Sequence, residues 1–433
     1  MAIKSYYERQ WRIKRIPFPR KGAYAESTQA VFVPEIFGDQ WDEFRRKFFL
    51  APLEIGQPLM GAVWSLTPGD PKARGYGKST LMGESAKLVS QDFGLSTLVE
   101  LGIDEEDARQ HPILASYASF TAAAYGGVGN IDAVGFQLLK FLLREGGEDE
   151  DDLHLRMREL AEARLGQQGV SVDDRGGAIA SAIRTRCRKA GIPVDIRGKL
   201  EDYLEYLVGP DTESLNQFLA QDVHTWHQDR NGLKYLQLFV VFAELAGIQH
   251  LTFFVDQVED FTSLSGSTKI QKNVKIIRDA LIESEPFASR ASFVFQFHPQ
   301  AHEALRFAWD HEDLPSLAHD DPLNKPVVVV LKGLDDFSAA RVAVERFLGH
   351  ATVAVPARQP GIAPFTDEAV RQVWEATRPI PRNFLTVLHD VMRVGADARV
   401  ALLDKDFVAP KLQRLTEAAA EEAAREDEDE RLA

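Results

Sequence analysis

The stretch Gly75-Tyr76-Gly77-Lys78-Ser79-Thr80 decides how this chain is read. Its two glycines let the backbone curl until successive N–H groups face one point, which is what a phosphate group requires. The residues from Ser79 to Gln91 have helical spacing. A helix that starts here adds its dipole and its free amides at the same place. Lys78 supplies a cation for the β- and γ-phosphates, and Ser79 supplies a hydroxyl for Mg²⁺. Upstream, Gly61 to Leu66 is a short apolar run that reads as a buried strand. Strand, glycine loop and helix in that order separate a phosphate loop from a chance Gly-Lys-Ser. The position five residues before Gly77, where such loops carry glycine, is Lys72. The nearest upstream glycine is Gly69, so the front half of the loop reads as longer than usual.

A second motif lies far along the chain, at Leu251-Thr252-Phe253-Phe254-Val255-Asp256. An apolar strand of this kind is buried on both faces, and its carboxyl end faces the crevice where nucleotides bind. Asp256 is there the expected Mg²⁺ ligand, directly or through water. Position 257, where many ATPases place a glutamate to polarise water, is Gln257, and Glu259 and Asp260 are nearby substitutes. The missing carboxylate predicts slow hydrolysis. The run Ala291–Phe297 ends in Gln296, Phe297 and His298, so Gln296 and His298 are candidates to sense a γ-phosphate. Arg382, in Pro379-Ile380-Pro381-Arg382-Asn383-Phe384, opens a helix from which it can clamp the same phosphate. Arg290 and Arg306 are weaker candidates for a finger offered to a neighbouring copy.

Between these motifs the pattern alternates. Strand runs at Gly61–Leu66, Ile113–Phe120, His250–Val255, Ala291–Phe297 and Pro326–Leu331 are separated by helical stretches, which predicts a parallel sheet covered on both faces. The expected fold is therefore an α/β P-loop NTPase with a three-layer parallel sheet, a helical insertion and a C-terminal helical lid domain. The expected boundaries are a basic segment over 1–30, the ATPase core over 31–145 and 235–350, and the helical insertion over 146–234. The lid follows over 351–412, and an acidic tail over 413–433.

Composition narrows the classes further. The chain has 433 residues, 45% of them hydrophobic, and a net charge of −15. An acidic total argues against a large nonspecific nucleic-acid surface, though not against a local basic groove. The single cysteine, Cys187, excludes an internal disulfide and fits a reducing compartment. It stands among Arg184, Arg186, Arg188 and Lys189, cations that lower a thiol pKa, although a bystander role on a polar helix is the simpler reading. No apolar run is long enough to span a membrane and the N-terminus has no signal-type apolar core, so the expected location is the cytoplasm, with no membrane partner. Gly126-Gly127-Val128-Gly129 lacks the spacing of a dinucleotide fingerprint. His224 and His227 share a helical face but have no third metal ligand in view.

Taken together, Gly-Tyr-Gly-Lys-Ser-Thr, Phe-Phe-Val-Asp-Gln-Val-Glu-Asp, Phe-Val-Phe-Gln-Phe-His and Pro-Arg-Asn-Phe resemble AAA+ ATPases of the origin-recognition and STAND type. Phe242-Ala243-Glu244-Leu245-Ala246-Gly247 leading into the acidic strand is similar to ATP-binding proteins of phage-exclusion clusters and to transposon target-selection regulators. The resemblance covers roughly residues 15–145 and 235–410. It implies ATP and Mg²⁺ as ligands, and assembly with further copies, a partner protein or DNA. It also implies that Ile16 and Phe18 pack on adenine, where physics alone reads core packing. Two other functions fit the motifs: a phosphotransferase acting on a small molecule, and a nucleotide-binding adaptor that does not hydrolyse.

Overall fold

Five apolar runs form the five strands of one sheet: β1 (Met60–Ser65), β2 (Ile113–Ser119), β3 (His250–Asp256), β4 (Ala291–Gln296) and β5 (Val328–Leu331). Their order across the sheet is β2-β3-β4-β1-β5. The recorded pairings, β1 with β4, β4 with β3 and β3 with β2, are all parallel. This computed structural model describes residues 6–19, 32–65, 75–120, 131–145, 153–171, 175–192, 199–210, 212–220, 231–258, 267–296, 302–314, 317, 327–351 and 361–432.

Contacts divide the chain into two compact units, one of Met1–Asp42, Ser65–Leu81 and Val330–Ala433, the other of Glu43–Trp64 and Met82–Val329. The second unit contains nearly all of the sheet. Successive side chains on a strand point to opposite faces, and the aromatic residues follow that rule. Phe254 meets Phe44, Phe48 and Phe49 on one face. Phe253 and Phe293 meet Phe287 on the other, where Phe295 also packs on Trp309. Every residue of β2, β3 and β4 is buried, so their sequences are apolar runs rather than alternations. β2 is an edge strand, and the Ser90 hydroxyl compensates for the missing neighbour. It donates to Ala115 O at 2.7 Å and accepts from Ala115 N–H at 3.1 Å.

Between β2 and β3 the described residues are helical: Ile131–Glu145, Leu153–Gln167, Arg175–Lys189, Lys199–Val208, Thr212–Leu219 and Gly232–Ala246. Tyr203, Phe218 and Tyr235 pack edge to face or stacked at their centre, with ring centroids 4.9 to 5.1 Å apart. The four middle helices fall inside the range expected for the insertion, 146–234, and the described residues there include no strand.

The first unit is built on helices Phe337–His350, Asp367–Thr377, Pro381–Asp397 and Lys405–Leu432. Asp336 and Thr366 cap the first two by accepting backbone N–H bonds, and Pro381 takes the first position of the third. Their shared core includes Phe347, Val373, Phe384, Val387 and Leu388, together with Trp11, Ile13 and Phe18 from the N-terminal segment. The Trp11 indole N–H is shared between Val400 O and Ala401 O at 3.2 and 3.1 Å. The segment expected as basic is thus also partly core, and its apolar residues show no local period. No helix among the described residues is long and apolar enough to cross a membrane.

Candidate nucleotide site

The described part of the glycine loop lies in the first unit. Gly75 and Gly77 both occupy the left-handed region, with φ of 86° and 81°, which glycine enters without strain. Helix Lys78–Gln91 begins directly after them, its first turn closed by Leu81 N–H to Gly77 O at 2.8 Å. Ser79 and Thr80 therefore head the helix, where amides lie outside the intrahelical ladder. Lys78 is 8% exposed and its ammonium donates to the Ser65 hydroxyl at 3.0 Å. This bond holds the cation at the carboxyl end of β1. The Arg382 backbone N–H donates to Gly75 O at 3.1 Å, so the structure does bring Arg382 to the loop, at the start of its helix.

The carboxylate strand lies in the second unit. Asp256, 1% exposed, accepts from the Tyr117 hydroxyl at 2.7 Å and from the Gln257 N–H at 2.8 Å. Two donors at hydrogen-bond distance compensate the burial of its charge. Gln257 has φ of 55°, a left-handed conformation uncommon for a residue with a side chain. The Ser119 hydroxyl donates to its side-chain oxygen at 2.5 Å, and its N–H also reaches Gln296 Oε1 at 3.3 Å. Sheet register explains this grouping: Ser119 stands opposite Asp256, Val255 opposite Phe295, and Gln296 opposite Val63. The polar strand tips therefore form one row at the carboxyl edge.

The strand order also marks a crevice on that edge. From β1 the chain crosses to β2 in one direction, and from β4 it crosses to β5 in the other. In parallel sheets, ligands bind outside the carboxyl ends of strands whose connections diverge in this way.

Phe18 is 2% exposed and packs edge-on to Phe347 and Phe365, while Ile16 is partly buried against the same core. Arg290 precedes β4 at its amino end and pairs with Glu244 at 2.8 Å, as Arg186 does at 3.1 Å. Arg306 is exposed on helix His302–His311. Cys187 is buried, and burial outweighs the Arg186 charge and pushes its thiol up to about 11, the reverse of the lowering its cationic neighbours suggest. Glu259, Asp260, His298, His224, His227 and Gly126 to Gly129 lie outside the described residues. Sequence reading missed Ser65, Tyr117 and Ser119. The signal for the last two was present: hydroxyls in an otherwise apolar strand, close to its carboxyl end.

A parallel sheet whose first strand runs through a glycine loop into a helix headed by Lys-Ser-Thr is a P-loop NTPase fold. No protein-family model matches the chain, and no curated protein matches it. Among solved structures, that of the Aeropyrum pernix ORC2 protein in ADPNP–ADP complexes is similar over 87% of this chain and 67% of that one. The identity is 11% and the TM-score 0.42, so the class rests on the sheet and the loop themselves.

Proposed function

We propose that the chain is a regulatory ATPase of the AAA+ type, which binds ATP with Mg²⁺ and hydrolyses it slowly. The residues fit the ligand. Two left-handed glycines, a helix N-terminus and a buried ammonium form an anion cradle. Ser79 carries a hydroxyl and Asp256 a carboxylate, the oxygen ligands Mg²⁺ takes beside phosphate and water, and these are the residues we assign to it. The ion would neutralise charge on the phosphates. Lys78 and the amides of Gly75 to Thr80 hold the β- and γ-phosphates. Gln296 and Arg382 are the groups assigned to the γ-phosphate, and Glu259 is the reserve carboxylate. Gln257 orients water but cannot take its proton, so turnover falls below about 1 s⁻¹, under the usual enzyme range.

The observation that carries this reading is the bond from Arg382 N–H to Gly75 O. The phosphate loop and the start of a C-terminal helix are one hydrogen-bonded piece, so what occupies the loop acts directly on the helical unit. A γ-phosphate that makes contacts ADP cannot make would shift that unit between two states. The states would differ in assembly with further copies, a partner protein or DNA, and phage defence and mobile-element transactions are the settings suggested by the resemblance. The experiment is light scattering with ADP and with a slowly hydrolysed ATP analogue, each with and without duplex DNA. A larger assembly with the triphosphate alone supports the switch, and an unchanged monomer in all four conditions refutes it. The Ser119–Gln257 bond favours one second reading, a nucleotide-binding adaptor without turnover, which predicts ATP binding and no phosphate release.

A further inference from the structure

The described part of the phosphate loop is enclosed by three separate pieces of its own unit. At Gly75, a methyl on the α-carbon would stand 2.9 Å from Arg382 Cβ and 3.0 Å from Ile380 Cγ2. At Gly77, it would stand 3.1 Å from the Phe37 ring. Between them, Tyr76 is 1% exposed. Its ring lies against Gly333, where an added methyl would be 3.0 Å from Tyr76 Cε1 and would overlap the Pro379 carbonyl oxygen. That carbonyl accepts from Leu334 N–H at 2.8 Å, which ties the turn after β5 to the turn before helix Pro381–Asp397. Gly333 has φ of 84° and no side chain, and the close approach needs both.

We infer that this collar of Phe37, Gly333, Pro379 and Ile380, with Tyr76 as its plug, sets the conformation of the phosphate loop. The four collar residues are positioning residues for nucleotide binding with no assigned contact to phosphate, and the Tyr76 side chain acts with them while its backbone amide faces the ligand. The inference rests on the ATP-binding reading above. A glycine loop is conformationally free when alone, and ordering it opposes binding. A loop already held by its neighbours has lost that freedom before the ligand arrives, and the binding is tighter for it. Tyr76 thus has a reason to be aromatic at a position where phosphate contact needs only its backbone.

The test uses the full chain with Ile380→Ala, which removes a collar contact without placing a new atom, and Gly333→Ala, which adds one. Hydrogen exchange of residues 75–78 in the nucleotide-free protein reads the loop directly. We expect exchange there to rise about tenfold or more in Ile380→Ala, with the middle of helix Pro381–Asp397 unchanged as a control for global loosening. ATP and ADP affinities, by calorimetry, fall by a common factor of about ten, because the loop cradles phosphates that both carry. Gly333→Ala shifts both readouts in the same direction and further. Wild-type exchange and wild-type affinities in a folded Ile380→Ala overturn the collar. Failure of wild-type protein to bind either nucleotide overturns the ATP reading instead, and the exchange experiment still decides whether the collar orders the loop.

Discussion

His250 makes the sheet sensitive to acid in a way that can be calculated. It starts β3, is 5% exposed, and its Nε2 lies 2.8 Å from the Ser292 hydroxyl. That hydroxyl also accepts from Leu59 N–H at 2.7 Å. Burial, and secondarily the charge of Arg290, lower the imidazole from its ordinary 6.5 to about 3. The folded chain therefore refuses a proton that the unfolded chain accepts below about pH 6.5, and stability falls as pH drops from there towards about 3. Between about pH 7.5 and about pH 5 the loss from this one group is about 2 kcal/mol. The figure hardly depends on how far the folded value is depressed, because the folded imidazole is neutral at pH 5 in any case. Hydrogen exchange at the amides of β3 and β4, corrected for intrinsic rates, measures the opening free energy at both pH values. Carboxylates contribute too, so the quantity to compare is the pH-dependent loss in wild type minus that in His250→Asn. A difference near 2 kcal/mol supports the reasoning. Equal losses in the two proteins would refute it.

Two predictions concern the site. Arg382→Ala should lower the preference for ATP over ADP by about tenfold or more while leaving ADP affinity nearly intact, since only the γ-phosphate loses a partner; parallel titrations with both nucleotides check this, and an equal loss for both would remove Arg382 from the γ-phosphate. Gln257→Glu restores a carboxylate beside Asp256 and should raise turnover by about a hundredfold, the low end of what a general base supplies; phosphate release at saturating ATP reads it, and an unchanged rate would mean that position 257 is not what limits hydrolysis.

The strands were legible in the sequence because burial on both faces leaves an apolar run, and β3 and β4 are of that kind. Strand order was not, because it depends on crossovers that no local pattern encodes. The motif residues Lys78, Asp256 and Arg382 could be named from the sequence, since strand ends and helix starts have local signals. Their partners could not. Ser119 meets Gln257 through a strand register spanning 138 positions, and Gly333 meets Tyr76 through turns far apart in the chain. Trp11 and Ile13 were not legible for a different reason. They are buried with Phe18 in the helical core, but a segment that contributes single anchors rather than a helix face shows no period. Cys187 misled in its electrostatics, because the sequence shows nearby charges and not the desolvation that outweighs them.

The most direct test of the central claim is calorimetric titration of ATP with Mg²⁺ into wild-type protein and into Lys78→Ala. Lys78 is the cation that the described part of the loop offers to the phosphates, and a charge-assisted bond of that kind is worth about 1.5–3 kcal/mol or more. Wild type should bind saturably, one to one, and the variant should lose at least about tenfold in affinity. Equal affinity in the two proteins, or no binding to wild type, would contradict the claim.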